Sequence, residues 1–280
     1  MKEKLTGLLN PPAGWGLCSG SVLKTIAVIT MLIDHFGAAV IAYVIRYRLL
    51  PAGIDLDTAL NCYYLIRGIG RTAFPIYCFL LVEGFLHTKR LELYFCRLLL
   101  FAALSELPFD LAFFAKEESG SADIYRVTQL NFDEFMAHQN VFWTLLIGLS
   151  AIWLVDLLRK RMSDETDSWG LRKPVCVAGI LLLTVAACLL ADAMGTDYGG
   201  YGVALILVFY YLRPWRIAAV GAGYLTLIQV YSEVWAFPGF ILMLAYNGQR
   251  GYIRRSGKYF FYAFYPVHLL LLYLLRCAII

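Results

Sequence analysis

Charge is scarce in this chain, and the scarcity excludes several functions. Only 16% of the 280 residues are Asp, Glu, Lys or Arg, against about 25% in an ordinary soluble domain. The formal net charge is a modest +4, confined to short loops, so no nucleic-acid surface is expected. No polar stretch is long enough to make a separate soluble domain. The cysteines (Cys18, Cys62, Cys78, Cys96, Cys176, Cys188 and Cys277) are scattered, with no CxxC and no Cys/His cluster. Neither a disulfide framework nor a metal site is therefore indicated. GxSxG, GxGxxG, P-loop and HExxH motifs are missing, which leaves hydrolase, nucleotide-fold and zinc-protease readings unsupported. Residues 1–20 contain Pro11 and Pro12 and lack the apolar core of a signal peptide, so the first span is expected to stay in the mature protein.

What the chain has instead is apolar length. Hydrophobic residues make up 60% and the mean hydropathy is +0.66. They fall in blocks of about the 20 residues a helix needs to cross ~30 Å of hydrocarbon. The blocks predict helices near 22–45, 68–87, 94–115, 140–158, 174–192, 199–212, 215–231, 234–247 and 259–279. The fold class is an all-α, polytopic integral membrane bundle of about nine transmembrane helices, with eight or ten as alternatives. Residues 1–20 read as a cytoplasmic segment and 21–280 as one transmembrane domain. Alternate loops are rich in Lys and Arg, among them Lys89, Arg90, Arg159, Lys160, Arg161, Arg213, Arg216, Arg250, Arg254 and Arg255. The intervening loops carry Glu117, Glu118, Asp123, Asp133, Glu134, Asp192 and Asp197. This places the N-terminus in the cytoplasm. Residues 46–71 break the rule, because they should lie outside yet contain Arg46, Arg48, Arg67 and Arg71. These arginines either snorkel at helix ends or form an anion-binding mouth.

Ionisable groups at membrane depth are costly and mark candidate sites. Asp34 and His35 lie some 14 residues into the first helix, on a span whose Ala27, Thr30, Asp34, Gly37, Ala38 and Ala42 form a small-residue stripe for close packing. Neighbouring residues differ by about 100° around a helix, so each of the two is expected to have its own partner on another helix. Arg71 is placed near the outer end of the second helix, with Glu83 and His87 near its inner end and Pro75 inviting a kink. Glu106 and Asp110 flank Pro108, and we expect them to orient Arg71 or His35. Asn140 can cap the fourth helix or bind a ligand. Asp197 and Tyr198 can face an outer cavity, and Tyr265 and His268 share a face of the last helix. A structural polar knot and a chemical site both fit such groups.

The succession LKTIAVITMLIDHFG, GRTAFPIYCFLLVEGFLHTKR, RLLLFAALSELPFDL, NVFWTLLIGL, DYGGYGVALILVFY and KYFFYAFYPVHLLLLYLL resembles the TraX family, from about residue 21 to 276. Its namesake is needed for N-terminal acetylation of F-pilin. The first helix is also similar to that of the acyltransferase-three group, which uses an essential His to move acyl groups from cytoplasmic acyl-CoA across the membrane. The resemblance implies a bacterial inner-membrane acetyltransferase using acetyl-CoA, with a peptide N-terminus or a glycan as acceptor. His35 would be general base or transient acyl acceptor and Asp34 its supporting neighbour. Arg71, Glu83, Glu106, Asp110, Asn140 and His268 would line the pocket, joined by Asp197, Tyr198 and Tyr265. Lys89, Arg90 and Arg254 are candidates for the coenzyme's phosphates. The rival class is a proton-coupled secondary transporter or flippase, which also needs buried Asp, Glu and His. A purely structural membrane subunit leaves these groups without a purpose.

Overall fold

The computed structural model describes residues 16–115, 123–162, 172–230, 232–253 and 257–279. All regular elements among them are helical. Helix α1 (Gly20–Arg46) is interrupted by a π-turn at Gly37–Ile41. It is followed by α2 (Leu56–Gly70), α3 (Ala73–His87), α4 (Leu91–Phe113), α5 (Ile124–Leu130), α6 (Phe132–Ala137), α7 (Val141–Met162) and α8 (Arg172–Ala193). Then come α9 (Gly199–Leu212), α10 (Arg216–Leu227), a 3₁₀ turn (Glu233–Ala236), α11 (Phe237–Leu244) and α12 (Lys258–Ile279).

Among the described residues, five helices are long and apolar enough to cross a membrane: Gly20–Arg46, Leu56–His87, Val141–Met162, Lys173–Ala193 and Tyr259–Ile279. The remaining predicted segments are helical as well. However, α4 is interrupted by Arg97, Glu106 and Asp110, and the helices over 199–212, 216–227 and 233–244 are short. Arg254 and Arg255, residues 1–15, and Glu117 and Glu118 lie outside the described residues.

One expectation is overturned outright. Residues 56–67, expected as loop, are helix, and α2 and α3 together form one broken span. Pro75 explains the break: it has no N–H to offer the Arg71 carbonyl one turn back, and its ring crowds that turn. The span runs against α1, with Ile66 beside Gly37 and Gly70 beside Asp34. Arg67 and Arg71 therefore sit at the depth of Asp34, in the middle of the bundle. The outer-end placement of Arg71 is corrected accordingly.

Packing follows the pattern of apolar faces. Helix α9 is hydrophobic all round, as a central helix must be; Leu205, Ile206, Phe209 and Tyr210 are buried against α3, α7, α8 and α10. Helix α8 exposes Leu181, Leu182, Val185, Leu189 and Leu190, which puts it on the perimeter. Helix α12 lies along α4, and its buried Arg276 donates to the carbonyls of Leu111 and Ala112, satisfying the orphan end of α4. The start of α1 is clamped by the segment 245–250: Cys18 N–H donates to Ala245, Gly20 N–H to Gln249, and Ser21 N–H to Arg250. That clamp brings Arg250 beside Lys24.

Candidate active site

Asp34 and His35 point to different partners, as their angular offset requires. Asp34 is buried, and both of its oxygens are taken by guanidinium groups. Arg67 Nη1 donates to Oδ2 at 2.7 Å, and Arg71 Nη2 reaches Oδ1 at 2.8 Å and Oδ2 at 2.7 Å. Arg71 also donates to Glu233 Oε1 at 2.8 Å. Glu233 is fully buried in the 3₁₀ turn and was not singled out by sequence. Its signal was there, as an isolated acid between two short apolar helices. Four charges thus neutralise one another between α1, the broken span and the turn before α11. Asp34 is part of this network and not a support for the imidazole, and the network accounts for Arg67 and Arg71 better than snorkelling or an anion mouth.

His35 pairs with His268 of α12, Nδ1 to Nε2 at 2.7 Å. His268 in turn places its Nδ1 2.7 Å from the Phe264 carbonyl. A carbonyl only accepts, so His268 Nδ1 carries the hydrogen and, in the neutral ring, Nε2 is a lone pair. His35 Nδ1 must then be the donor, which leaves a lone pair on His35 Nε2. That nitrogen has no hydrogen-bond partner among the described residues. The rings of Phe113 and Tyr265 meet His35 edge-on, at 5.3 and 5.7 Å between centroids, and fix its plane. The structure thus joins three predicted residues, His35, His268 and Tyr265, in one constellation.

The other predicted residues divide into separate groups. Glu106 accepts from Asn140 Nδ2 at 2.5 Å and Trp143 Nε1 at 2.7 Å. Asn140 also caps α7 by accepting from Phe142 N–H, and donates to Ala102 O. Glu106 therefore orients the start of α7 and neither Arg71 nor His35. Asp110 is buried with Oδ1 unpartnered among the described residues and likewise orients neither. Tyr198 stacks on Phe74 at 3.4 Å. Asp197 is held by the turn that Gly195 makes at φ +63, a left-handed conformation suited to glycine, and by its N–H to Gln139 O. Its side chain is exposed at this turn, with the charges of Arg71, Asp34, Arg67 and His138 nearby. The surrounding protein pushes its carboxyl up to about 6, against the opposing pull of Arg71.

Below the histidines lies a cavity of about 520 Å³. Lys24, Arg97 and Arg250 line it, together with Glu83 and His87. Tyr77, Tyr94, Phe261 and Tyr262 form its walls, and Met31, Phe142 and Tyr265 lie at its deep end. Met31 is one helical turn before His35, and the Tyr265 ring touches it, so the cavity ends one side chain short of the histidine pair. Arg97 lies over Tyr94 at 5.7 Å and hydrogen-bonds the Tyr262 hydroxyl. Its Nε is buried with no partner among the described residues, a donor that an ordered water, an ion or a bound group can satisfy. Lys89 and Arg90 are exposed and outside this lining. The cations that line the cavity are instead Lys24, Arg97 and Arg250; Lys24 and Arg97 stand in the sequence as lone cations inside apolar blocks.

The model of the family described as TraX protein matches residues 19–276. The chain belongs to the TraX family. It is also 30% identical over 271 residues to a protein of Dichelobacter nodosus described as "Probable fimbrial assembly protein FimC, serogroup H1", covering 89% of this chain and 92% of that protein. No solved structure matches. Within this TraX-family chain the match takes in the histidine pair, the charged network and the cavity together.

Proposed function

We propose that this TraX-family protein is a membrane-embedded acetyltransferase that moves an acetyl group from acetyl-CoA to an acceptor amine or hydroxyl at His35. The observation that carries the reading is the cavity with cationic residues at its mouth, ending beside an imidazole whose Nε2 is free. Lys24, Arg97 and Arg250 suit the phosphates of the coenzyme, and the aromatic walls suit its thioester arm. From Gly20 to Met31 the cavity runs about 16 Å along α1 at helical rise, and its volume is in the ordinary range for a ligand pocket. The nucleotide end stays at the membrane surface.

In the reaction, His35 Nε2 takes the proton from the acceptor N–H or O–H as its heavy atom attacks the thioester carbonyl carbon. The tetrahedral intermediate collapses, the C–S bond breaks, and the imidazolium returns its proton to the leaving thiolate. His268 holds the donor tautomer of His35 throughout and stabilises the positive ring through the short N–H···N contact. Base catalysis of this kind contributes about 10²–10⁴-fold. The name of the Dichelobacter relative makes a fimbrial subunit the first acceptor to try.

The test uses purified protein in liposomes with radiolabelled acetyl-CoA and a fimbrial-subunit N-terminal peptide. Wild type is expected to label the peptide and His35→Ala to lose the activity while still inserting and melting normally. Equal labelling by His35→Ala would falsify the assignment. Stabilisation against heat by acetyl-CoA or CoA, lost in Arg97→Ala, supports the enzyme; indifference to both favours the transporter.

A further inference from the structure

A second concavity, of about 720 Å³, lies between α7 and α8, away from the histidines. Its walls are Leu154, Leu157 and Leu158 of α7 and Leu182, Leu183 and Ala186 of α8. Gly179 lies in its wall, where a Cβ would meet Leu158 at an ordinary 3.6 Å, so there is space above the backbone. The apolar stretch from Leu154 to Arg161 is about 10 Å long at helical rise. One end is closed by Lys160 and Arg161.

The three consecutive cations at this end are not equivalent. Arg159 lies over the rings of Tyr210 and Tyr211 at 5.9 Å each. Lys160 is bonded to Asp156 at 2.8 Å. Arg161 is exposed and has no ion pair among the described residues. A leucine-lined slot facing the bilayer, ending at an exposed guanidinium with no ion pair among the described residues, is complementary to one molecule type: an amphiphile with an apolar chain and a negative head.

We propose that the α7–α8 groove binds an anionic phospholipid of the surrounding bilayer, its acyl chain along Leu154, Leu158 and Leu182 and its phosphate on Arg161, with Lys160 beside it. Basic pockets between membrane helices select anionic headgroups in this way. The site is independent of the acetyl-transfer reading, since none of its residues lines the histidine cavity.

Native mass spectrometry of the full chain, titrated with phosphatidylglycerol or with phosphatidylcholine of the same acyl chains, tests it. The wild type is expected to retain phosphatidylglycerol about five- to tenfold more strongly. Arg161→Glu should erase that preference, and Gly179→Phe, which fills the slot, should remove one bound lipid of either kind. Equal retention of the two lipids by wild type, or an unchanged preference in Arg161→Glu, overturns the proposal. So does a dimer that Gly179→Phe dissociates, because the groove would then be a seat for a second copy. Should Gly179→Phe fail to fold, the Arg161→Glu result decides alone.

Discussion

At the residue scale, the useful property of His35 is its fixed tautomer. The Phe264 carbonyl sets the proton on His268, and His268 sets the proton on His35. If acetyl transfer depends on this chain, His268→Ala should lower kcat by about 10² while leaving the KM for acetyl-CoA within twofold. His268→Gln, whose amide oxygen can accept from His35 Nδ1, should recover part of the loss. A uniform rise in KM with kcat intact would instead make His268 a binding residue. Asp34 has a different job. Asp34→Asn leaves Arg67 and Arg71 without their shared counter-charge, and breaking a buried pair costs about 3–5 kcal/mol, less to the extent that Arg67 is partly solvated. The expected result is a lowered melting temperature in detergent, while thermal stabilisation by CoA persists at lower temperature.

Asp197 offers a pH test. Its carboxyl is raised to about 6 from an unfolded value near ~3.9. A raised carboxyl pKa means that the native state holds its proton longer than the unfolded state. The contribution to stability is complete below the unfolded value and is lost as pH rises through about 6. Melting temperature should therefore fall more steeply from acid pH towards neutrality in wild type than in Asp197→Asn. Parallel profiles for the two proteins would show that Asp197 is not perturbed.

At the element scale, the broken span α2–α3 organises the centre. Pro75 interrupts it at the depth where Asp34 needs two arginines, and Gly70 leaves room for the Asp34 side chain, which occupies the place a Cβ would take. Gly70→Ala must push α2 away from α1 and pull Arg71 from Asp34. We expect a loss of stability comparable to Asp34→Asn, and no further loss when the two are combined, since both break the same contact. Additive melting-temperature shifts in the double variant would contradict this. Directly beyond Asp34 and His35, α1 widens into its π-turn at Gly37–Ile41, a feature often found beside functional groups in helices.

The helices themselves were largely readable from hydropathy. Residues 56–67 were not, because LDTALNCYYLIR mixes Asp, Asn and Arg with its apolar residues and lacks a continuous apolar run. The histidine pair was half legible: both residues stood out as polar groups at similar depth, but their contact depends on α12 packing beside α1. The reading of Glu106 failed for a related reason. Asn140 and Trp143 reach it because α7 begins alongside α4 at Ala102, and no local pattern records that depth.

At the scale of the whole molecule, the cavity approaches the histidine pair from the side on which Lys24, Arg97 and Arg250 lie. If the cavity mouth is cytoplasmic, as the distribution of Lys and Arg predicts, single cysteines introduced at Arg161 and Arg250 should react with an impermeant maleimide only in inverted vesicles. Cysteines at Glu134 and Asp133 should react in intact cells. The reversed pattern would put the donor cavity on the wrong side for acetyl-CoA.

The sequence by itself determined that this is a helical membrane chain with a few ionisable groups at membrane depth, because apolar length and the cost of a buried charge are local properties. It also carried the family, through motifs spread along nearly the whole chain. Which charge meets which was decided only by the tertiary structure. Asp34 reaches Arg67 and Arg71 because α2 runs against α1; His35 reaches His268 across 233 residues; Arg250 joins the cavity because the 245–250 segment clamps the start of α1. Ion pairs and tautomers depend on distances of a few ångströms between helices, and those distances exist only once the bundle has packed.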